Sequence, residues 1–208
     1  MSIRENRAPD RVDGRVPSQR NADGTRKRIL EAAQALFSAR GYASVGVREI
    51  SAAAQADPTL IRRYFGSKEK LFEAALADLL DVTALLRFGR ENFGTSVVDF
   101  VVGDPEDVVI PLPMLIYAAA DVTSRKIAQR LLDDLVISPI GAWLGPPDGD
   151  ELAARITMLL SGMFLYWQLL PLRPLADDLP AATRTWLSDS LQAIVDRKEP
   201  GTAGRAES

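Results

Sequence analysis

Thr59, Arg62 and Arg63 are the side chains whose types and spacing most plainly serve a chemistry, and that chemistry is recognition. On a helical wheel at about 100° per residue they fall together on one side of a short segment. Ile61, Tyr64 and Phe65 fall on the other side. One face is therefore apolar and packs, while the other presents two guanidinium groups and a hydroxyl to solvent. A guanidinium can make a bidentate contact to the O6/N7 edge of guanine or pair with phosphate. The segment alone also fits a solvated helix of a bundle. Bond-breaking chemistry has less material. The chain holds no Cys, which removes a thiol nucleophile, a disulfide framework and a Cys-ligated zinc site. It holds no His, the usual general base and commonest metal ligand. The adjacent pairs Asp133-Asp134 and Asp177-Asp178 would point about 100° apart on a helix, so neither spacing makes a carboxylate dyad. No Gly-rich phosphate loop, EF-hand or zinc spacing occurs. The expectation is a non-enzyme with no cofactor and no metal.

The elements that would position the two arginines can be read on either side of them. Val47 to Ala54 reads as a short helix with Ile50 and Ala54 on one face, followed by a turn at Gln55-Ala56. Asp57 is a good N-cap, because its carboxylate can accept from unpaired amides, and Pro58 suits the first helical position. The second helix runs to about Tyr64. A short two-faced helix held by a preceding one is what a helix-turn-helix needs to read a major groove. Upstream, Thr25 to Arg40 reads as an amphipathic helix with Ile29, Ala33, Leu36 and Phe37 in its stripe, capped by Asp23 or Thr25 and ending at Gly41. Downstream, Ser67 starts a fourth helix whose stripe, from Leu71 and Phe72 to Leu86, carries it to about Gly89.

Three linked stretches, ILEAAQALFSARGY (29–42), VREISAAAQADPTLIRRYF (47–65) and GSKEKLF (66–72), resemble the TetR family of bacterial transcriptional repressors. The resemblance covers roughly Thr25 to Leu76. It implies an all-α homodimer with an N-terminal helix-turn-helix domain and a larger C-terminal helical domain that binds a small molecule and dimerises. It also implies contacts to a palindromic double-stranded operator. Thr59, Arg62 and Arg63 would meet base edges, and Thr25, Arg26, Ser44, Tyr64 and Lys68 would fix the register on phosphates. Lys68 stands at a helix start, where its charge opposes the dipole, and a nearby phosphate would account for that. Two departures concern the operator: Gln55 stands where the family usually has Gly, and Arg62 where it commonly has Tyr.

Charge is distributed in the same sense. The chain is mildly acidic at −3, but residues 1–70 hold 14 Lys+Arg against 8 Asp+Glu, a net of +6. Residues 71–208 hold 11 against 20, a net of −9. Such asymmetry fits one nucleic-acid face and one body that stays off DNA. Residues 1–21 read as a disordered arm whose five Arg could alternatively follow DNA, and residues 198–208 as a loose tail. Residues 22–67 form the expected DNA-binding domain and residues 68–197 the ligand-binding and dimerisation domain. No apolar leader stands at the N-terminus, and the run Met158 to Leu172 falls short of the about 20 residues a membrane span needs. A cytoplasmic protein with no membrane partner is the expectation.

In the body, helices are expected over Thr95 to Val102, through Tyr117 to Asp121 after Pro111 and Pro113, and over Ser124 to Ile137, ended by Ser138-Pro139. The loop GPPDGD (145–150) precedes a helix over about Glu151 to Leu170 that is apolar nearly all round and must be covered on all sides. The last helix runs Pro180 to Arg197. Two such helices per subunit suit a four-helix bundle across a two-fold axis. The resemblance implies a ligand cavity among the middle helices, for which Phe93, Phe100, Met114, Tyr117, Trp143, Met163, Phe164 and Trp167 are the candidate lining residues. Tyr117, Gln168 and Asn92 are its candidate polar groups.

Overall fold

The computed structural model describes residues 19–103, 110–176 and 178–198. Among them all regular structure is helical. The expected arm (apart from the start of the first helix) and the expected tail beyond Lys198 lie outside the described residues.

Helix α1 runs Gln19–Ser44, starting earlier than expected, so Asp23 and Thr25 lie inside it and not at its start. The Thr25 hydroxyl instead accepts from Arg28 Nη2, 3.2 Å away. Ile29, Ala33 and Phe37 are fully buried on its inner face. Helical geometry breaks at Gly41, whose φ of 77° lies in the left-handed region. Glycine is required there twice over, since a Cβ would also stand 3.0 Å from Tyr117. Helices α2 (Val47–Ala53) and α3 (Pro58–Phe65) follow as expected. The turn between them puts Gln55 at φ 49°, a left-handed conformation carried here by a side-chain-bearing residue.

Helix α4 spans Lys68–Leu79, with Ser67 capping it by accepting from Lys70 N. Phe72 links it to α1, its ring edge-on to both Phe37 and Tyr42 at 5.2 Å between centroids. The expected extension of α4 to Gly89 does not form. The apolar stripe continues, but Asp81 accepts from the Thr83 amide at 2.8 Å and from the Thr83 hydroxyl. This local turn competes with the helix ladder and ends it. A short 3₁₀ turn at Leu85–Arg87 then leads into the body.

The body consists of α5 (Phe93–Gly103), α6 (Leu112–Ala119), α7 (Val122–Leu132), α8 (Ser138–Leu144), α9 (Gly149–Phe164) and α10 (Ala181–Val195). Ser138-Pro139 does not end the helical path after α7. A wide turn at Asp133–Ile137 lets the Ser138 amide reach the Asp133 carbonyl, five residues back. Pro139 then enters at the start of α8, where its missing N–H costs nothing. Another wide turn, Leu165–Leu169, extends α9. Helices α5 and α10 approach so closely that a Cβ on Gly94 would overlap the Ser188 carbonyl, and Gly94 N donates to Gln192 Oε1 at 3.1 Å. Arg197 holds the 145–150 loop, reaching Asp148 at 2.9 Å and the Gly145 carbonyl at 2.7 Å.

Candidate nucleic-acid interface and effector cavity

The reader is α3. Asp57 caps it, accepting from the Thr59 amide at 2.8 Å and the Thr59 hydroxyl at 2.6 Å. These two bonds hold the Asp57 carboxyl below its ordinary range. Ile61 and Phe65 are buried against the core, and Gly66 closes the helix at φ 83°. Thr59, Arg62 and Arg63 are exposed together on the opposite side, as their spacing requires. The Thr59 hydroxyl proton is committed to Asp57, so outward the residue offers its methyl group and oxygen lone pairs. Tyr64 is half-buried beside the core.

The flanking residues are placed in three ways. Ser44 is exposed at the end of α1. Arg26 lies with its guanidinium 5.0 Å from the centre of the Phe65 ring, a cation–π contact joining α1 to the end of the reader. Lys68 places its Nζ 4.3 Å from the centre of the Tyr42 ring. Burial lowers the Lys68 ammonium pKa and the Asp121 carboxylate opposes that shift. Burial also raises the Tyr42 phenol, with Glu69 and Asp121 adding to it. Lys68 thus has a folded-state reason to stand at a helix start.

The body contains a cavity of about 880 Å³. Of the candidate lining residues Phe100 and Phe164 border it; Phe93, Met114, Tyr117, Trp143, Met163 and Trp167 do not. Phe93 and Trp143 are consumed by each other, their rings 5.0 Å apart. Met114 is fully buried in the core, Met163 nearly so, and Trp167 packs against the core. Tyr117 packs on Gly41, on the α1 side of α6. The polar candidates Tyr117, Gln168 and Asn92 are likewise absent from the wall, and the Gln168 amide nitrogen is buried without a hydrogen-bond partner among the described residues. The lining comes instead from Leu115, Val136, Ile140, Ile156 and Leu160, with Thr157 and Ser161 as hydroxyl groups. A third contribution, from Leu30, Glu31 and Gln34, comes from α1 itself. These α1 positions lie outside the buried stripe of Ile29, Ala33 and Phe37, and no single-helix pattern distinguishes them from a solvated face.

These features define an all-α chain with a capped, two-faced helix and a roomy cavity, with Arg26 of α1 touching both. Residues 29–75 match the model of bacterial regulatory proteins of the tetR family, and residues 91–195 match the tetracyclin repressor-like C-terminal domain. The chain belongs to the TetR family. It is 44% identical over 96 residues to the HTH-type transcriptional repressor NicS of Pseudomonas putida, a stretch covering 46% of this chain and 42% of NicS. It is 27% identical over 191 residues to the HTH-type transcriptional regulator BetI of Rhizobium meliloti, covering 84% and 93%. Among solved structures, a TetR-family regulator from Streptomyces coelicolor superposes with a TM-score of 0.57 at 24% identity, covering 88% of this chain and 99% of that one.

Proposed function

We propose that this chain is a dimeric transcriptional repressor that binds a roughly palindromic operator and is released from it by a small molecule. The observation that carries the reading is α3: a capped helix, anchored by Ile61 and Phe65, with Thr59, Arg62 and Arg63 exposed on the far side. Thr59, Arg62 and Arg63 meet base edges, while Thr25, Arg26, Ser44, Tyr64 and Lys68 meet phosphates, which position the protein without specifying sequence. Lys68 exchanges the Tyr42 ring for a phosphate on binding.

The dimer is supported by unpartnered apolar surface on the last two helices. Met158 is 66% exposed and Trp186 57%, with Tyr166 and Leu170 exposed nearby in the chain. A Cβ on Gly162 would meet nothing within 4 Å, so that stretch of α9 lies open. By length and composition alone the helical run Gly149–Leu169 is also apolar enough to cross a membrane. Asp150, Glu151 and Arg155 in its first two turns and the exposed Trp186 on α10 fit a subunit interface better than a span. Effector binding shifts the pair of readers by as much as its affinities for the two states differ. A coupling of about 1–3 kcal/mol weakens operator binding about 5–150-fold.

Selection of bound duplexes from a random pool by the purified full chain tests this reading. It predicts a palindrome with half-sites about one helical turn apart or slightly more. Recovery of unrelated sequences, with binding insensitive to salt, would overturn it, since phosphate neutralisation imposes a steep salt dependence.

A further inference from the structure

The cavity has two unlike sides. Among the described residues, the side built by α5 to α9 carries no charged group; Thr157 and Ser161 are its polar members, and Thr157 already donates to the Ala153 carbonyl at 2.8 Å. Every charged lining residue among the described residues lies on α1, on α4 or just past its end: Asp23, Arg26, Lys27, Glu31, Asp78 and Asp81, four carboxylates against two cations. Both cations are engaged, Arg26 over the Phe65 ring and Lys27 with Glu31 at 3.6 Å. Asp78 accepts from Gln34 Nε2 at 2.8 Å and takes part in no ion pair among the described residues. Asp81 is held ionised by its bonds to Thr83, with Arg87 adding a smaller effect. Among the described residues the opening is thus negative on balance, and the interior beyond it is a hydrocarbon surface.

From this arrangement we infer that the effector is an elongated apolar molecule with a cationic end, an ammonium or amidinium, held chiefly at Asp78, with Glu31, already paired with Lys27, adding a weaker attraction. Its body lies on Leu115, Val136, Ile140, Ile156 and Leu160. The inference rests on the reading of this cavity as the effector site. The size fits, since small-molecule pockets commonly span about 300–1,000 Å³. The sign follows from electrostatics: a cation gains from the uncompensated carboxylates, whereas an anion would face net repulsion where it enters. The placement also bears on release. Gln34 belongs to α1 and Asp78 to α4, and Gln34 further donates to the Ala75 carbonyl at 3.2 Å. A cation seated at Asp78 competes for the carboxylate that ties these two helices together, and of the two α4 is the one that packs against the reader.

Calorimetric titration of the full chain with three probes of equal chain length, decyltrimethylammonium, decanol and decyl sulfate, each kept below micelle formation, tests the assignment. The ammonium should bind about tenfold or more tighter than the sulfate. Asp78→Asn, which keeps an acceptor for Gln34, should weaken the ammonium by about tenfold, the order of a hydrogen bond or contact to a charged group, and leave decanol unchanged. Glu31→Gln, on the solvent side of α1, should act in the same direction more weakly, and thermal melts establish that both variants fold. Sulfate binding as tightly as ammonium, or ammonium affinity unchanged in both variants, would overturn the cation assignment while leaving the cavity as a site. Failure of all three probes to bind would overturn the effector-cavity reading and this inference with it.

Discussion

The reader and the cavity differ in how they are built. The reader is local: Asp57, Pro58, Thr59, Arg62 and Arg63 lie within seven consecutive residues, and one cap and two buried anchors orient them. The cavity takes its wall from α1, the end of α4, the 79–85 segment and every helix from α5 to α9. The reader also presents polar groups at fixed angles, whereas the cavity is mostly hydrocarbon with charge confined to one side. Local construction suits a site that must hold a rigid pattern against base edges. Distributed construction suits one whose occupant has to be felt by several helices at once. Helix α1 touches both, through Arg26 on the Phe65 ring of the reader and through Leu30, Glu31 and Gln34 in the cavity wall.

The comparison can be broken most severely at the shared core. Phe72→Ala removes the ring that Phe37 and Tyr42 both pack against and should cost about 3–5 kcal/mol, read from denaturant unfolding. Both functions should fail together; survival of operator binding would show the two regions to be less coupled than their shared α1 implies. Trp186→Arg should act on assembly alone. Sedimentation should show the dimer constant weakened by about 2 kcal/mol or more, as for a central aromatic anchor, with an unchanged helical spectrum.

Smaller changes sharpen the reader itself. Gln55→Gly relieves a left-handed φ and should stabilise the chain by about 0.5–1 kcal/mol in thermal melts, since an L side chain pays roughly 1–2 kcal/mol there and glycine returns part of that as unfolded-chain entropy. The last effect is one of pH. The Asp57 carboxyl lies below its ordinary value because of its bonds to Thr59, so its contribution is present above the unfolded value of about 3.9 and disappears as pH falls through the folded one. Asp57→Asn should remove that part of the acid sensitivity of α3, observed by amide exchange in the reader.

The same contrast explains what the sequence revealed. The reader was legible because a cap, a proline, two apolar anchors and two arginines obey one helical period within a few residues, and the structure keeps every one of those relations. Helix α4 was overdrawn because Leu86 continues its stripe, while the Asp81–Thr83 turn that ends it depends on a competing side-chain bond. The cavity was misread for a different reason. Large aromatic residues such as Phe93 and Trp143 find partners and fill space, so their size is evidence of core. A cavity is bounded by what does not meet, and only the tertiary arrangement decides that. Gln34 and Asp78, 44 positions apart, become a bonded pair through packing alone.

The central claim is that α3 reads sequence through its two exposed arginines. The direct measurement is the affinity of Arg62→Ala and Arg63→Ala for the selected operator and for variants altered at single base pairs, at one fixed salt concentration. The account predicts a loss of about 1–3 kcal/mol for each arginine that pairs with a base, with discrimination relaxed at one position per half-site. Unchanged affinity and unchanged discrimination in both variants would contradict it.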